Sequence, residues 1–114
     1  MQNFVKRTEQ KINLNIVMVI YVDIDETICL YRNLRDYPCA EPIPEHIEKI
    51  NSLYEDGNTI VYWTARGALS GKDWSALTEQ QLDKWGCKYH ELIMNEKPHY
   101  DMLICDKTKR IEEL

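Results

Sequence analysis

The sequence lacks long apolar runs and an excess of positive charge, and both absences restrict its function. The longest apolar stretch, residues 16–22, has the length of one strand, whereas a transmembrane helix needs roughly 20 apolar residues. Residues 1–15 contain no apolar segment typical of a secretory signal. The net charge of −5 disfavours broad binding to nucleic acids or membrane surfaces, because both use basic patches. A cytoplasmic protein that does not bind membranes is the simplest prediction.

The cysteines lack the spacing of a metal site or a disulfide framework. None of the four belongs to a C-x-x-C pair, and the single C-x-x-H, formed by Cys87 and His90, is more often incidental than a zinc site. Reduced thiols that lie partly in the core fit a cytosolic chain.

Strand and helix patterns alternate along the 114 residues, a length typical of one domain. Short β-branched or apolar runs predict four strands, at residues 16–22, 59–63, 91–94 and 100–105. Apolar residues at helical spacing predict two helices, one after Pro44 and one over residues 73–85. The proline-rich residues 29–44 predict a loop with room for a short hairpin. This order predicts an α/β fold with a mainly parallel sheet, formed by residues 16–114 after an N-terminal arm at 1–15.

Polar residues follow the strand ends, where parallel sheets bind ligands. In chain order they are Asp23, Asp25 and Thr27, then Thr64 and Arg66 with Ala65 between them, and then Asp106 after the last strand, with Lys97 just before that strand. Each alone has a structural explanation, such as a turn aspartate, a capping threonine or a solvated lysine. Their order, each beside a predicted strand, instead favours one site at one rim of the sheet.

The segment DIDET, residues 23–27, resembles motif one (DxDxT) of the haloacid dehalogenase superfamily. Thr64, Lys97 and Asp106 resemble the second, third and fourth motifs of that superfamily, in the same order. The resemblance covers about residues 17–110 and implies a three-layer Rossmann-like core. The stretches between motifs are too short for a cap domain. We therefore expect an open site, or a homo-oligomer in which a neighbouring subunit closes it.

The resemblance implies a magnesium-dependent phosphatase that forms an aspartyl-phosphate. Asp23 would be the nucleophile and Asp25 the general acid and base, and Lys97 would hold Asp23 and the phosphate together. The implied Mg²⁺ ligands are the carboxylates of Asp23 and Asp106 and the main-chain carbonyl of Asp25. On this interpretation the magnesium ion and the lysine relieve the repulsion between the two aspartates.

Phosphate binding is expected from the hydroxyl of Thr64 and nearby backbone amides, at Ala65 and Arg66. The Arg66 guanidinium has two interpretations. It either grips the substrate phosphate or lies on the surface, paired with Asp73 or another acid. Asp101, five residues before Asp106, also has two interpretations, an accessory acid of the site or a residue of the turn that enters the last strand.

Three departures from the superfamily pattern leave room for a catalytically impaired member. Glu26 stands where many relatives carry glycine, and Cys105 stands where small relatives often carry an acid before Asp106. The pair Asn95-Glu96 precedes Lys97, where a glycine is common.

The substrate expectation comes from residues 63–108, which resemble the small capless phosphatases found with capsule and lipopolysaccharide sugar synthesis. The triplet TAR and the helix after it also resemble the phosphatase domain of polynucleotide kinase 3′-phosphatases. A phosphorylated sugar or other small metabolite is the favoured substrate, because a nucleic-acid enzyme would more often carry basic stripes.

Overall fold

The computed structural model describes residues 17–95, 102–104 and 111. The predicted N-terminal arm lies outside this part of the chain. The strands are β1 (Val19–Asp23), β2 (Cys29–Leu30), β3 (Glu41–Pro42), β4 (Thr59–Thr64), β5 (Glu91–Met94) and β6 (Met102–Ile104). The helices are α1 (Pro44–Glu55) and α2 (Ser75–Lys84), with a short 3₁₀ turn at Tyr37–Cys39.

Within the described residues, the main sheet has four strands in the order β5-β4-β1-β6, and every neighbouring pair is parallel. β1 is central, so that Val22 lies between Tyr62 of β4 and Ile104 of β6. Ile20 and Val22, on one face of β1, are fully buried, and Tyr21, on the other face, is 9% exposed. The prediction of an α/β fold with a mainly parallel sheet is confirmed.

The core lies between this sheet and the two helices. Ile20 and Val22 share one face of β1, and they belong to one buried cluster with Ile47 and Ile50 of α1 and Leu82 of α2. The spacing of these helical residues is the pattern that predicted the helices. Pro44 occupies the first turn of α1, as predicted, because its missing N–H has no partner to lose there.

The second helix begins later than the sequence indicated. Its predicted start was residue 73, but α2 begins at Ser75. The Asp73 carboxylate accepts hydrogen bonds from the backbone N–H of Ser75, at 2.9 Å, and from its hydroxyl, at 2.6 Å. This local turn competes with the helix, as short polar side chains commonly do. The first strand likewise begins at Val19, where pairing with Thr59 begins, and extends to Asp23.

The predicted hairpin is present as the antiparallel pair β2 and β3. Its base is held to the core by the backbone N–H of Ile43, which donates to the carbonyl of Ile28 at 2.8 Å. The ring Nδ1 of His46 lies 2.8 Å from the Thr27 carbonyl. The loop between β2 and β3 is therefore anchored beside the carboxyl end of β1. Among the described residues, no helix combines the length and the apolar character needed to cross a bilayer.

Candidate active site at the carboxyl ends of the central strands

A cleft of about 690 Å³ lies where β1 and β4 end. The sequence-predicted residues that line it are Asp23, Asp25, Thr64, Ala65 and Arg66. The structure therefore brings Asp23 and Asp25 of the first motif together with Thr64 of the second at one rim. Thr27, also expected at this rim, is buried, with 1% exposure, and is not among the residues that line the cleft. Lys97, Asp101, Cys105 and Asp106 lie outside the described residues, so their predicted positions are not tested.

A turn after β1 orients the two aspartates. Ile24 between them is fully buried, and its carbonyl accepts from the N–H groups of Thr27, at 3.1 Å, and Ile28, at 3.0 Å. Glu26, which follows Asp25 in this turn, has a positive φ of 64°. Glycine adopts this conformation more easily than other residues do. This backbone requirement explains why glycine suits the position that Glu26 occupies.

The Asp25 carboxylate forms an ion pair with a buried arginine. Arg66 Nη2 lies 2.9 Å from Asp25 Oδ1, and Arg66 Nε lies 3.2 Å from Oδ2. The Tyr31 hydroxyl donates to the same carboxylate at 2.5 Å. The Arg66 side chain is 0% exposed and that of Asp25 is 10% exposed, so this pair is largely removed from water.

All five N–H groups of the Arg66 guanidinium have partners among the described residues. Nη1 donates to the Thr78 hydroxyl at 3.0 Å and to the Gln81 side-chain oxygen at 2.7 Å. Nε and one N–H of Nη2 donate to Asp25, and the other N–H of Nη2 reaches the Tyr31 hydroxyl at 3.3 Å. The interpretation of Arg66 as a surface arginine is wrong as to its location, because this side chain is buried; its partner is an acid, as that interpretation allowed, but it is Asp25 and not Asp73. With its donors occupied, Arg66 could grip a phosphate directly only by releasing one of these partners.

The ion pair shifts the pKa values of both partners. Burial opposes ionisation of Asp25, but hydrogen bonds from Arg66 and Tyr31 outweigh it, and the pKa of the carboxyl falls below its ordinary value. Burial likewise opposes the charge of Arg66, and the bond to Asp25 outweighs it and raises the pKa of the guanidinium. Asp25 is therefore held as a carboxylate, with its charge matched inside the protein.

Three partners of Arg66 were not predicted from the sequence. Tyr31 lies in the hairpin loop, and Thr78 and Gln81 are buried polar residues on α2. Thr78 and Gln81 lie one helical turn apart, next to the buried Leu82. This spacing could have identified them from the sequence as polar residues of the buried helix face. Tyr31 carries no such signal, because only the folded hairpin loop brings it to Asp25.

Thr64 ends β4 and lies inside the cleft. Its Oγ1 accepts from the backbone N–H of Arg66 at 3.1 Å, and its carbonyl accepts from the N–H of Asn95 at 2.9 Å. Asn95 has a positive φ of 66°, which asparagine tolerates better than most residues. The Thr64 hydroxyl hydrogen is not used in the bond to Arg66, and its predicted donation to a ligand stays a prediction.

The loop after β4 forms one wall of the cleft with nearby aromatic residues. Gly67 has φ 85°, and a Cβ on it would lie 2.1 Å from the Lys72 carbonyl oxygen. This close approach allows Trp74 to pack edge-to-face on Tyr37, with ring centroids 5.1 Å apart. The Arg66 guanidinium in turn lies over the ring of Tyr37, with its Cζ atom 4.8 Å from the ring centroid. The cleft wall and the Asp25–Arg66 pair thus form one packed unit.

The described residues contain no group of three or more histidine, cysteine, aspartate or glutamate side chains placed to hold a metal ion. The predicted magnesium set includes Asp106, which is outside those residues. Asp23 and Asp25, the residues of the other two predicted ligands, both line the cleft.

Comparison with known proteins supports the fold class. No family model matches the chain, and a search of curated proteins finds no match. A crystal structure of a target protein from Vibrio cholerae is similar, with a TM-score of 0.58 and 26% sequence identity. The similarity covers 71% of this chain and 72% of that one. It agrees with a small α/β fold, and the Vibrio protein carries only a target designation, so it assigns no activity.

Proposed function

We propose that this chain is a magnesium-dependent phosphomonoester hydrolase of the haloacid dehalogenase type, acting through an aspartyl-phosphate intermediate. The proposed core is the three-layer, capless form of that fold. The proposed substrate is a phosphorylated sugar or another small metabolite. The capsule or lipopolysaccharide context and the cytoplasmic location remain parts of this proposal.

One observation carries the proposal. Asp23 ends the central strand β1, Asp25 follows it, Thr64 ends the neighbouring β4, and all three line the same cleft. Phosphoryl transfer needs a nucleophile, a proton carrier and hydrogen-bond donors placed together. These residues supply those groups at the edge where parallel sheets bind ligands.

The proposed reaction proceeds in two displacements. An Asp23 carboxylate oxygen attacks the phosphorus while the bond to the leaving oxygen breaks, and that oxygen takes a proton from the Asp25 carboxyl. A water molecule, deprotonated by Asp25, then attacks the aspartyl-phosphate and releases inorganic phosphate. The Thr64 hydroxyl and the backbone amides after it donate to phosphate oxygens throughout.

The donor set of the cleft fits a magnesium ion. Carboxylate and carbonyl oxygens are the ligands that Mg²⁺ prefers, and it uses few of them. Because the Asp25 carboxylate is committed to Arg66, its main-chain carbonyl is the atom available for such a role, together with the Asp23 carboxylate. A bound magnesium ion would offset the negative charge of the cleft when a phosphate enters.

The Asp25–Arg66 pair favours a second candidate, a phosphate- or metal-binding module with impaired catalysis. A general acid must carry a proton before it can give one to the leaving group. The contacts of Asp25 stabilise its ionised form instead. In this second candidate the cleft binds phosphate and the chemical step is slow or absent.

Release of phosphate from para-nitrophenyl phosphate separates the two candidates. We expect turnover with Mg²⁺, none after chelation by EDTA, and a loss of at least about 10³-fold in Asp23→Asn, which removes the nucleophile. Asp83→Asn is the matched control, because Asp83 is exposed on α2, outside the cleft-lining set. If neither wild type nor Asp23→Asn releases phosphate with any metal ion or at any pH tested, the hydrolase proposal is contradicted. Turnover of sugar phosphates but not of a 3′-phosphorylated oligonucleotide would support the small-metabolite substrate.

A further inference from the structure

The charges that line the cleft are unbalanced among the described residues. Asp23, Asp25 and Glu26 contribute three negative charges, and Arg35 and Arg66 contribute two positive charges. A phosphate dianion entering this cleft needs a cationic donor. Of the described lining residues, only the two arginines can supply one.

Arg66 is poorly suited to bind an incoming anion. Its side chain is 0% exposed, and its N–H groups already donate to Asp25, to the Tyr31 hydroxyl and to two side chains of α2. Releasing one of these partners would break a hydrogen bond in a largely buried network, which is unfavourable. Arg66 therefore pairs with Asp25 and is not the residue that binds the ligand.

Arg35 differs from Arg66 in position, exposure and partner. It lies in the hairpin loop at the cleft mouth, and its side chain is 46% exposed. Its Nη2 donates to Oε1 of Glu26, whose side chain is 40% exposed. The guanidinium also lies 5.8 Å from the ring centroid of Tyr31, and Tyr31 contacts Asp25. These contacts hold a cation at the entrance, close to the reacting groups.

The Glu26–Arg35 pair is easily exchanged for another partner. Exposed ion pairs contribute little to stability, whereas a phosphate offers an arginine two parallel charge-assisted bonds. The backbone of Glu26 is left-handed, a conformation that glycine would adopt with less strain. Its carboxylate gives this position a role that glycine could not supply.

We propose that Arg35 is the anion-binding residue at the mouth of the cleft and that Glu26 is its resting partner, which an incoming phosphate group displaces. This inference rests on the proposed phosphate-handling function of the cleft, and it concerns binding rather than turnover. Glu26 acts only through Arg35: it positions the guanidinium and competes with the ligand for it.

Binding of inorganic phosphate in the presence of Mg²⁺, measured by calorimetry, tests the proposal. We expect Arg35→Gln to weaken binding at least tenfold, because a charge-assisted donor pair is lost. Glu26→Gln keeps the side-chain shape but removes the competitor, and it should tighten binding by up to about fivefold, the equivalent of 1 kcal/mol. The double variant should behave as Arg35→Gln alone, because Glu26 then has no partner to hold.

The hairpin offers a matched control in a second exposed ion pair. Arg32 Nε lies 2.5 Å from Glu41 Oε2, and neither residue belongs to the lining of the cleft. Arg32→Gln should leave phosphate binding unchanged. Thermal unfolding of all variants should stay close to that of wild type, since each loses only one exposed pair.

The outcomes separate this inference from the proposed hydrolase. Binding of phosphate with an Arg35 effect but no turnover of para-nitrophenyl phosphate supports the Arg35 site and contradicts the hydrolase. Turnover with an unchanged phosphate affinity and KM in Arg35→Gln contradicts the Arg35 site and leaves the hydrolase intact. Weaker binding in Glu26→Gln, or no phosphate binding by wild type, also overturns the proposal.

Discussion

Replacing Asp25 by asparagine tests whether the buried Arg66 depends on this one counter-charge. The substitution keeps the side-chain shape but removes the negative charge, and it turns an amide N–H₂ toward the donors of Arg66 or Tyr31. The Arg66 side chain is 0% exposed, and its remaining partners, Thr78, Gln81 and Tyr31, are neutral. Breaking a buried ion pair from one side costs about 3–5 kcal/mol. Because the Asp25 side chain is 10% exposed at the cleft, we expect the lower end, about 3 kcal/mol.

Urea denaturation measures this loss directly. With a slope of about 1–3 kcal/mol per molar urea, the midpoint should fall by about 1–3 M in Asp25→Asn. Lys88→Gln is the control, because Lys88 pairs with Glu55 at 2.6 Å but both side chains are more than half exposed, 52% and 60%. Its expected loss is below about 1 kcal/mol. If Asp25→Asn costs no more than Lys88→Gln, the pair does not stabilise the fold as argued.

The pH dependence gives an independent check on the same pair. The pKa of Asp25 is lowered in the folded protein, so its stabilising contribution is present above the ordinary aspartate pKa and is lost as the pH falls through the folded value. The difference in stability between wild type and Asp25→Asn should therefore be constant near neutrality and shrink at acidic pH. A difference that does not change with pH would show that the loss comes from packing, not from charge.

Two further predictions concern a glycine and a thiol. Gly67→Ala should lower the free energy of unfolding by more than the roughly 1–2 kcal/mol expected from a positive φ alone, because its Cβ would lie 2.1 Å from the Lys72 carbonyl oxygen. Gly71 shares the positive φ, but a Cβ added there meets open space. Chemical denaturation should therefore show a smaller loss of unfolding free energy in Gly71→Ala than in Gly67→Ala. Equal losses would contradict the packing argument. Burial raises the pKa of the Cys87 thiol from 9.0 to about 11, so its contribution to stability is complete below the ordinary pKa and disappears as the pH rises through about 11. Cys87→Ala should flatten the fall in thermal stability between those pH values, and an unchanged profile would refute the assignment.

Much of the fold followed from the sequence because its signals were local. The β-branched run before Asp23 predicted a buried strand, and the structure places β1 at the centre of the sheet. The helical spacing of Ile47 and Ile50 predicted α1. The meeting of Asp23 and Thr64 at one cleft followed from the topology of parallel sheets, which puts the carboxyl ends of neighbouring strands at the same edge.

The contacts of Arg66 could not be predicted in the same way. The sequence placed this residue beside the site, but its choice among a ligand, a surface acid and Asp25 depends on side-chain packing across 41 positions of the chain. Thr78 and Gln81 were predicted only as part of a helix. In the structure they are the buried acceptors of the hydrogen bonds from Nη1 of the guanidinium. Long-range polar contacts of this kind have no periodicity, and only the assembled core selects them.

The arrangement of Arg66 changes the explanation of how two adjacent acids share one strand end. The sequence suggested that a magnesium ion and Lys97 together relieve their repulsion. In the structure the Asp25 carboxylate has its own internal cation, and all donors of that cation are used by groups other than Asp23. The two carboxylates therefore need not share a single counter-ion. The Asp25 carboxylate has a counter-charge within the fold, and a metal ion bound at this rim as proposed would be held by the carboxylate of Asp23 and the main chain of Asp25.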